Sequence, residues 1–96
     1  MQRYPHLSSG TTGAIGELKV SVDLMERGFE LFRALSPASS CDLIASRGER
    51  FFRVEVRTGI EGTEGRVLCQ RKGRYDILAV VLPDRLHYEP ALDILA

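Results

Sequence analysis

Asp42 and Glu55 are the two residues of this chain whose types and placing could do chemistry. Gly48-Glu49 lies between them and has the form of a two-residue hairpin turn, with glycine at the first central position. A hairpin folded there sets Asp42 directly opposite Glu55. Their Cβ atoms would lie about 5 Å apart, and like charges so placed cost roughly 0.2–1 kcal/mol. A cation between them removes that cost, and a divalent metal ion is the leading candidate. Salt bridging offers an alternative: Arg53 and Arg57 flank Glu55 on the same strand face and could neutralise both carboxylates with no metal.

The elements that position these residues can be read from periodicity. Thr11 or Thr12 is placed to cap a helix running to about Arg27, with Gly28 as its stop. Ile15, Leu18, Val22 and Met25 recur at helical spacing, which predicts that this stripe faces the core. Glu17 lies at the stripe's edge. Strands are expected at Phe29–Leu35, Cys41–Ser46, Phe51–Thr58, Tyr75–Leu82 and, as a short edge strand, Leu86–Glu89. Pro37 breaks the ladder after the first of them. In the hairpin, Cys41, Leu43, Ala45, Phe52, Val54 and Val56 share an apolar face, while Asp42, Ile44, Ser46, Phe51, Arg53, Glu55 and Arg57 share a mixed one. Residues 59–74 are Gly-rich and charged, and read as a mobile loop or protruding hairpin with a short strand at Arg66–Gln70. The tail from Ala91 could form a helical turn.

Composition sets limits. The 96 residues suffice for one domain, residues 1–96, and 44% hydrophobic with 27% charged residues is ordinary for a soluble globular protein. No apolar run approaches the ~20 residues of a membrane span, and the N-terminus lacks the apolar stretch of a secretory signal. Two cysteines, Cys41 and Cys69, make no disulfide framework, so a cytoplasmic setting is expected. Formal net charge is zero, yet eight of the 13 basic residues fall between Arg47 and Arg74. A neutral chain can therefore carry one basic face.

The segments GAIGELKVSVDLMERGFELF, CDLIA, FFRVEVRTG, RYDILAVVLPD and HYEP cover most of residues 13–90. In order and spacing they resemble the PD-(D/E)XK nuclease superfamily, the restriction-endonuclease-like fold, and within it the small domain of group I intron homing endonucleases. The resemblance implies an α/β fold: an N-terminal helix on a mixed, mostly antiparallel sheet of about five strands, with residues 59–74 replacing the usual second helix. It implies that Asp42 and Glu55 bind the metal, with the Val56 backbone carbonyl and Glu17 as further ligands. Arg57 takes the position of the motif's lysine, and Cys41 that of its proline. Mg²⁺ or Mn²⁺ suits such oxygen ligands. Arginine stays protonated, so Arg57 cannot be a base, but it can clamp a phosphate. The implied function is metal-dependent hydrolysis of DNA phosphodiester bonds, with a catalytically inactive DNA-binding or assembly module as the alternative. So small a core suggests a homodimer.

DNA-backbone contacts are expected from Arg47, Arg50, Arg66, Gln70, Arg71, Lys72 and Arg74. Ser39 and Ser40, just before Asp42, could touch a phosphate or a metal-bound water. His6 and His87 share no zinc spacing with Cys41 or Cys69. Cys41 falls on the core face as an inert thiol, and Tyr75 is expected to pack rather than stack on bases. Gly59, Gly62, Gly65 and Gly73 open no helix and form no nucleotide-binding fingerprint.

Overall fold

The computed structural model describes residues 7–36 and 41–95; Ser39, Ser40, His6 and Pro37 lie outside them. Gly48 turns the chain with φ of +62°, a conformation that costs glycine no steric strain. On either side run β2 (Leu43–Arg47) and β3 (Arg50–Thr58), paired antiparallel from Arg47↔Arg50 to Leu43↔Val54. This is the register expected of a Gly48-Glu49 turn. β1 (Glu30–Arg33) adds to β2 antiparallel. On the other side β6 (Ile77–Val81) pairs parallel with β3, and β7 (Leu86–Glu89) closes the edge antiparallel to β6. The sheet order is β1-β2-β3-β6-β7.

Because β3 and β6 are parallel, a crossover must join them. Residues 59–76 supply it as a small hairpin, β4 (Ile60–Glu61) with β5 (Val67–Leu68), around a 3₁₀ turn at Thr63–Gly65. Of the two forms expected for this segment, the structure shows the hairpin. β6 is buried at all five positions because it is covered on both faces.

One face of the sheet carries α1 (Ser9–Glu26), which Ser8 caps by accepting from the Thr11 amide at 3.2 Å. The helix thus begins before the expected threonine cap. Its stripe is also a correction. Gly16, Val20 and Leu24 face the sheet, whereas Leu18, Val22 and Met25 are 58%, 52% and 53% exposed. The reason is steric. A Cβ on Gly16 would meet Val81 Cγ2 at 3.2 Å and Val56 Cγ1 at 3.6 Å, so the absent side chain lets the helix approach the sheet closely. Val20 and Leu24 complete that contact with Leu43, Ala45, Phe52, Val54, Ile77, Ala79 and Val81. Among the described residues, no helix is long and apolar enough to cross a membrane.

β7 is tied to α1 by a polar contact. The Tyr88 hydroxyl donates to Asp23 Oδ2 at 2.6 Å, and Arg27 bonds the same oxygen while lying over the Tyr88 ring. Burial, then the Asp23 bond, hold the Tyr88 hydroxyl above the ordinary phenol range. Tyr88→Phe removes one donor but leaves Asp23 paired to Arg27. It should therefore cost about 1 kcal/mol, read as a lowered urea midpoint at unchanged slope.

Candidate active site

β3 presents Glu55, Val56 and Arg57 at the end of the ladder where β2 leaves it. Alternation puts Glu55 and Arg57 on the face away from α1, beside Leu78 and Val80 of β6. Glu55 is 8% exposed. Asp42 stands just before β2. Its amide donates to the Val54 carbonyl at 3.2 Å, and its Oδ2 accepts from the Val56 amide at 2.9 Å. The carboxylate thereby takes the place of a backbone acceptor where the two strands part. Asp42 and Glu55 are brought to the same end of the hairpin, as the turn requires.

Glu17 approaches from α1. Its carboxyl is held above the usual carboxylate range by burial first and then by Asp42, opposed by Arg33, with Glu55 adding a smaller upward push. The three acids therefore share one electrostatic neighbourhood. Among the described residues, however, no three of His, Cys, Asp and Glu are grouped closely enough to form a ready metal cage. Glu17 stands at the margin of the Asp42–Glu55 pair.

Arg57 is engaged on three sides. Its Nη1 contacts Glu55 Oε1 at 2.5 Å and donates to the Val56 carbonyl at 3.4 Å, and its Nη2 donates to the Lys72 carbonyl at 3.2 Å. The guanidinium thus covers two of the oxygens expected to hold a metal. Arg53 does not join it, which corrects the arrangement in which both arginines neutralise the acids. Arg53 instead forms a fork with Asp76, through Nε to Oδ2 and Nη2 to Oδ1, both at 3.2 Å. Backbone bonds between the same two residues complete it. Those bonds from Arg53 hold the Asp76 carboxyl below its ordinary range.

The segment after β5 is anchored across the same face. Arg71 Nε and Nη2 donate to the two carboxylate oxygens of Glu89, each at 2.9 Å, and Nη2 also reaches the Val67 carbonyl. His87 Nε2 lies 2.9 Å from Glu89 Oε2, and Tyr75 donates to the Arg71 carbonyl at 2.8 Å. Tyr75 and Cys69 pack on Val67, Leu78, Val80 and Leu82, so Tyr75 is a packing residue. Cys41 is buried, as expected. The result is a strap from β7 to β3: Glu89 holds Arg71, and the next residue's carbonyl holds Arg57.

The anchor should depend on pH. Arg71 first and His87 second depress the Glu89 carboxyl from 4.5 to about 2. A depressed carboxyl stabilises the fold above its unfolded value, and this is lost as pH falls toward the folded value. Strap order should therefore decline between about pH 4.5 and 2, while Glu89→Gln is already loose at neutral pH. Amide exchange across residues 69–75 measures both; protection that is flat over that window in the unmodified chain contradicts the anchor.

The expected DNA-contact residues divide by position. Arg47 and Arg50 lie at the hairpin tip, seven residues along β3 from Arg57, or about 23 Å of strand. Arg47 donates to the Arg27 carbonyl at 2.7 Å and stacks 4.0 Å above Phe29, and Arg50 lies 5.0 Å from the Phe52 ring. Arg71 is committed to Glu89. Gln70, Lys72 and Arg74 are exposed in the strap whose Lys72 carbonyl holds Arg57, and Arg66 is exposed before it, in the β4–β5 hairpin.

No protein-family description matches the chain, and no curated protein does. Solved structures do match. The fold is shared with a bacterial homing endonuclease. That protein, I-Ssp6803I, superposes with a TM-score of 0.69 over 85% of this chain and 68% of its own, at 13% identity. Identity this low speaks for the fold alone: a helix against a mixed five-stranded sheet whose middle strands run parallel.

Asp76, Glu89 and His87 belong to this neighbourhood although motif spacing did not single them out. Their partners are 23, 18 and 2 residues away in the chain. The one available signal was the period-2 placing of His87 and Glu89 on the edge strand, which puts both on the face that carries Glu55.

Proposed function

We propose that this chain is a metal-dependent endonuclease that hydrolyses DNA phosphodiester bonds, of the PD-(D/E)XK type. What supports the reading is the placing of Asp42, just before β2 and accepting from the Val56 amide, and of Glu55 on β3 at the same end of the hairpin, in a fold shared with a homing endonuclease. The donors fit a hard cation: two carboxylates and a carbonyl, all oxygen. Asp42, Glu55 and the Val56 carbonyl would hold Mg²⁺ or Mn²⁺, with Glu17 assisting from the side. A bound ion of this kind supplies an activated water and offsets charge on the phosphate.

The chain's own residues do the rest. Arg57 has no base function, because its guanidinium stays protonated. Turned from Glu55 toward a phosphate, it would brace the scissile group and offset charge that builds there. The raised Glu17 carboxyl could accept or release a proton at the site's edge. Arg66 from the β4–β5 hairpin, with Gln70, Lys72 and Arg74 from the strap, would track the DNA backbone. Cleavage of plasmid and branched DNA, titrated with Mg²⁺ and with Mn²⁺, tests the reading.

The Arg57–Glu55 contact favours a second reading. A guanidinium seated on the metal-binding oxygens is also what a nuclease fold that retained binding and lost turnover would show. No cleavage with either ion, together with DNA affinity that falls steeply with salt, would select that module. Arg57→Lys discriminates further. It shortens the fork to a point charge, and in an enzyme should preserve or raise metal-dependent cleavage; in the binding module it should leave turnover at zero.

A further inference from the structure

Arg57 occupies the place that a metal ion would need. Its Nη1 contacts Glu55 Oε1 at 2.5 Å and donates to the Val56 carbonyl, two of the oxygens that would hold the ion. Glu55 is buried, and a buried carboxylate needs a counter-charge. Either cation satisfies it, but two cations on the same oxygens repel, so one excludes the other. A way out is open to Arg57, whose side chain keeps 27% of its surface exposed while that of Glu55 keeps 11%. What opposes its departure is the further bond from Nη2 to the Lys72 carbonyl at 3.2 Å.

That carbonyl belongs to a segment with no ladder of its own, since residues 69–76 lie in no helix or strand. Cys69 and Tyr75 pack near its two ends on Val67, Leu78, Val80 and Leu82. Between them, side chains hold the backbone: the Arg71–Glu89 fork, the bond from Arg71 to the Val67 carbonyl, and the Tyr75 hydroxyl on the Arg71 carbonyl. At Gly73 φ is +145°, and a Cβ there would lie 3.8 Å from Arg57 Nη2, so the strap passes alongside the guanidinium. Glu89, two strands away from β3, thereby places Lys72, and Lys72 places Arg57.

We infer that Arg57 is a resident cation that must leave before a divalent ion can be held, and that the Arg71–Glu89 anchor sets how readily it leaves. Glu89 and Arg71 are then positioning residues for metal affinity, although neither belongs to the ligand set. The inference rests on the reading of Asp42 and Glu55 as metal ligands. If the ordered strap and the ion exclude one another through Arg57, whatever loosens the strap tightens the ion, and the ion loosens the strap by the same factor. A purely structural anchor gives the opposite sign, because disorder beside a site lowers its affinity.

Calorimetric titration of the full chain with Mn²⁺, without DNA, tests the coupling. Glu89→Gln should bind Mn²⁺ about fivefold more tightly than the unmodified chain, or better. Arg71→Gln breaks the same fork from its other end and should do likewise, which keeps the test decisive should one of the two fail to fold. Arg57→Gln should also tighten binding, and adding Glu89→Gln to it should change affinity by less than about twofold. Amide exchange gives the reciprocal readout: Mn²⁺ should speed exchange at residues 70–74 of the unmodified chain. Unchanged or weaker Mn²⁺ binding in the two anchor variants, or strap protection that Mn²⁺ leaves flat, would overturn the proposal. Asp42→Asn separates this failure from that of the reading beneath it. If Mn²⁺ binds, is lost in Asp42→Asn and is indifferent to the anchor, the metal site stands and the coupling falls. If Arg57→Gln, with its guanidinium gone, takes up no Mn²⁺, the metal site itself falls and the coupling with it.

Discussion

Asp42→Asn is expected to abolish DNA cleavage while leaving the fold in place. The change is chosen from geometry. Asp42 Oδ2 accepts the Val56 amide where β2 parts from β3, so alanine would leave a backbone donor without its partner and confuse chemistry with stability. Asparagine keeps an acceptor oxygen there and removes only the charge. If Asp42 helps to hold a catalytic divalent ion, losing the charge costs several kcal/mol of transition-state stabilisation. About 4 kcal/mol corresponds to roughly a thousandfold in rate. The thermal midpoint should move little, because the hydrogen bond persists. Single-turnover cleavage with saturating Mg²⁺ is the measurement, alongside thermal unfolding of the same preparation. A variant that cleaves within tenfold of the unmodified chain removes Asp42 from the site. One that loses both cleavage and several degrees of stability would make Asp42 a structural acceptor. Glu55→Gln is a less clean companion, since it turns the charged contact with Arg57 into a neutral hydrogen bond and leaves that guanidinium without its counter-charge.

What could be read from the sequence follows from the range over which each signal acts. The hairpin was legible because a turn glycine and period-2 alternation are local, and together they fix the register for every residue between Leu43 and Val54. That local register also set Asp42 and Glu55 at the same end of the hairpin. The helix seam was legible as a seam but not in its direction. Residues 15, 18, 22 and 25 are the larger apolar set, so a hydrophobicity pattern points to them. The sheet chose Gly16, Val20 and Leu24 because close approach rewards the missing side chain at Gly16, a property no hydrophobicity scale records. The Arg53–Asp76 fork and the Arg71–Glu89 anchor required the parallel β3–β6 register and the β7 edge, contacts between segments 18 and 23 residues apart. Spacing cannot supply such pairs. The same limit explains Arg57. Its position two residues after Glu55 was plain, but the Lys72 carbonyl that fixes it depends on where the strap crosses the face.

Gly59→Ala is expected to destabilise the fold more than any other single methyl added at a glycine. Gly59 follows the last residue of β3, and its amide donates to the Val81 carbonyl at 3.1 Å. A Cβ there would lie 2.6 Å from Val80 Cγ1, 2.8 Å from the Leu68 carbonyl oxygen and 3.1 Å from Cys69 Cβ. Val80 is fully buried and β-branched, so its methyl has no free rotamer to adopt. The Leu68 oxygen is backbone and belongs to β5, so relief means moving the β4–β5 hairpin. Overpacking of this kind costs about 1–3 kcal/mol, and the backbone clash places Gly59 near the top of that range. At roughly 4–8 °C per kcal/mol for a domain of this size, the midpoint should fall by about 12–24 °C. Two other glycines set the scale. At Gly62 the nearest atom is Leu68 Cδ1 at 2.8 Å, the end of a flexible, exposed side chain, so Gly62→Ala should cost far less. At Gly13, inside α1, nothing lies within 4 Å, and alanine should stabilise by about 0.5–1 kcal/mol through the unfolded chain's lost freedom. The ordering Gly13→Ala above the unmodified chain, then Gly62→Ala, then Gly59→Ala follows from distances alone. A Gly59→Ala variant within about 1 kcal/mol of the unmodified chain would show that the hairpin yields easily. The strap would then be too loose to fix Arg57 through Lys72, and the pairing of Arg57 with Glu55 would have to stand on their own contact.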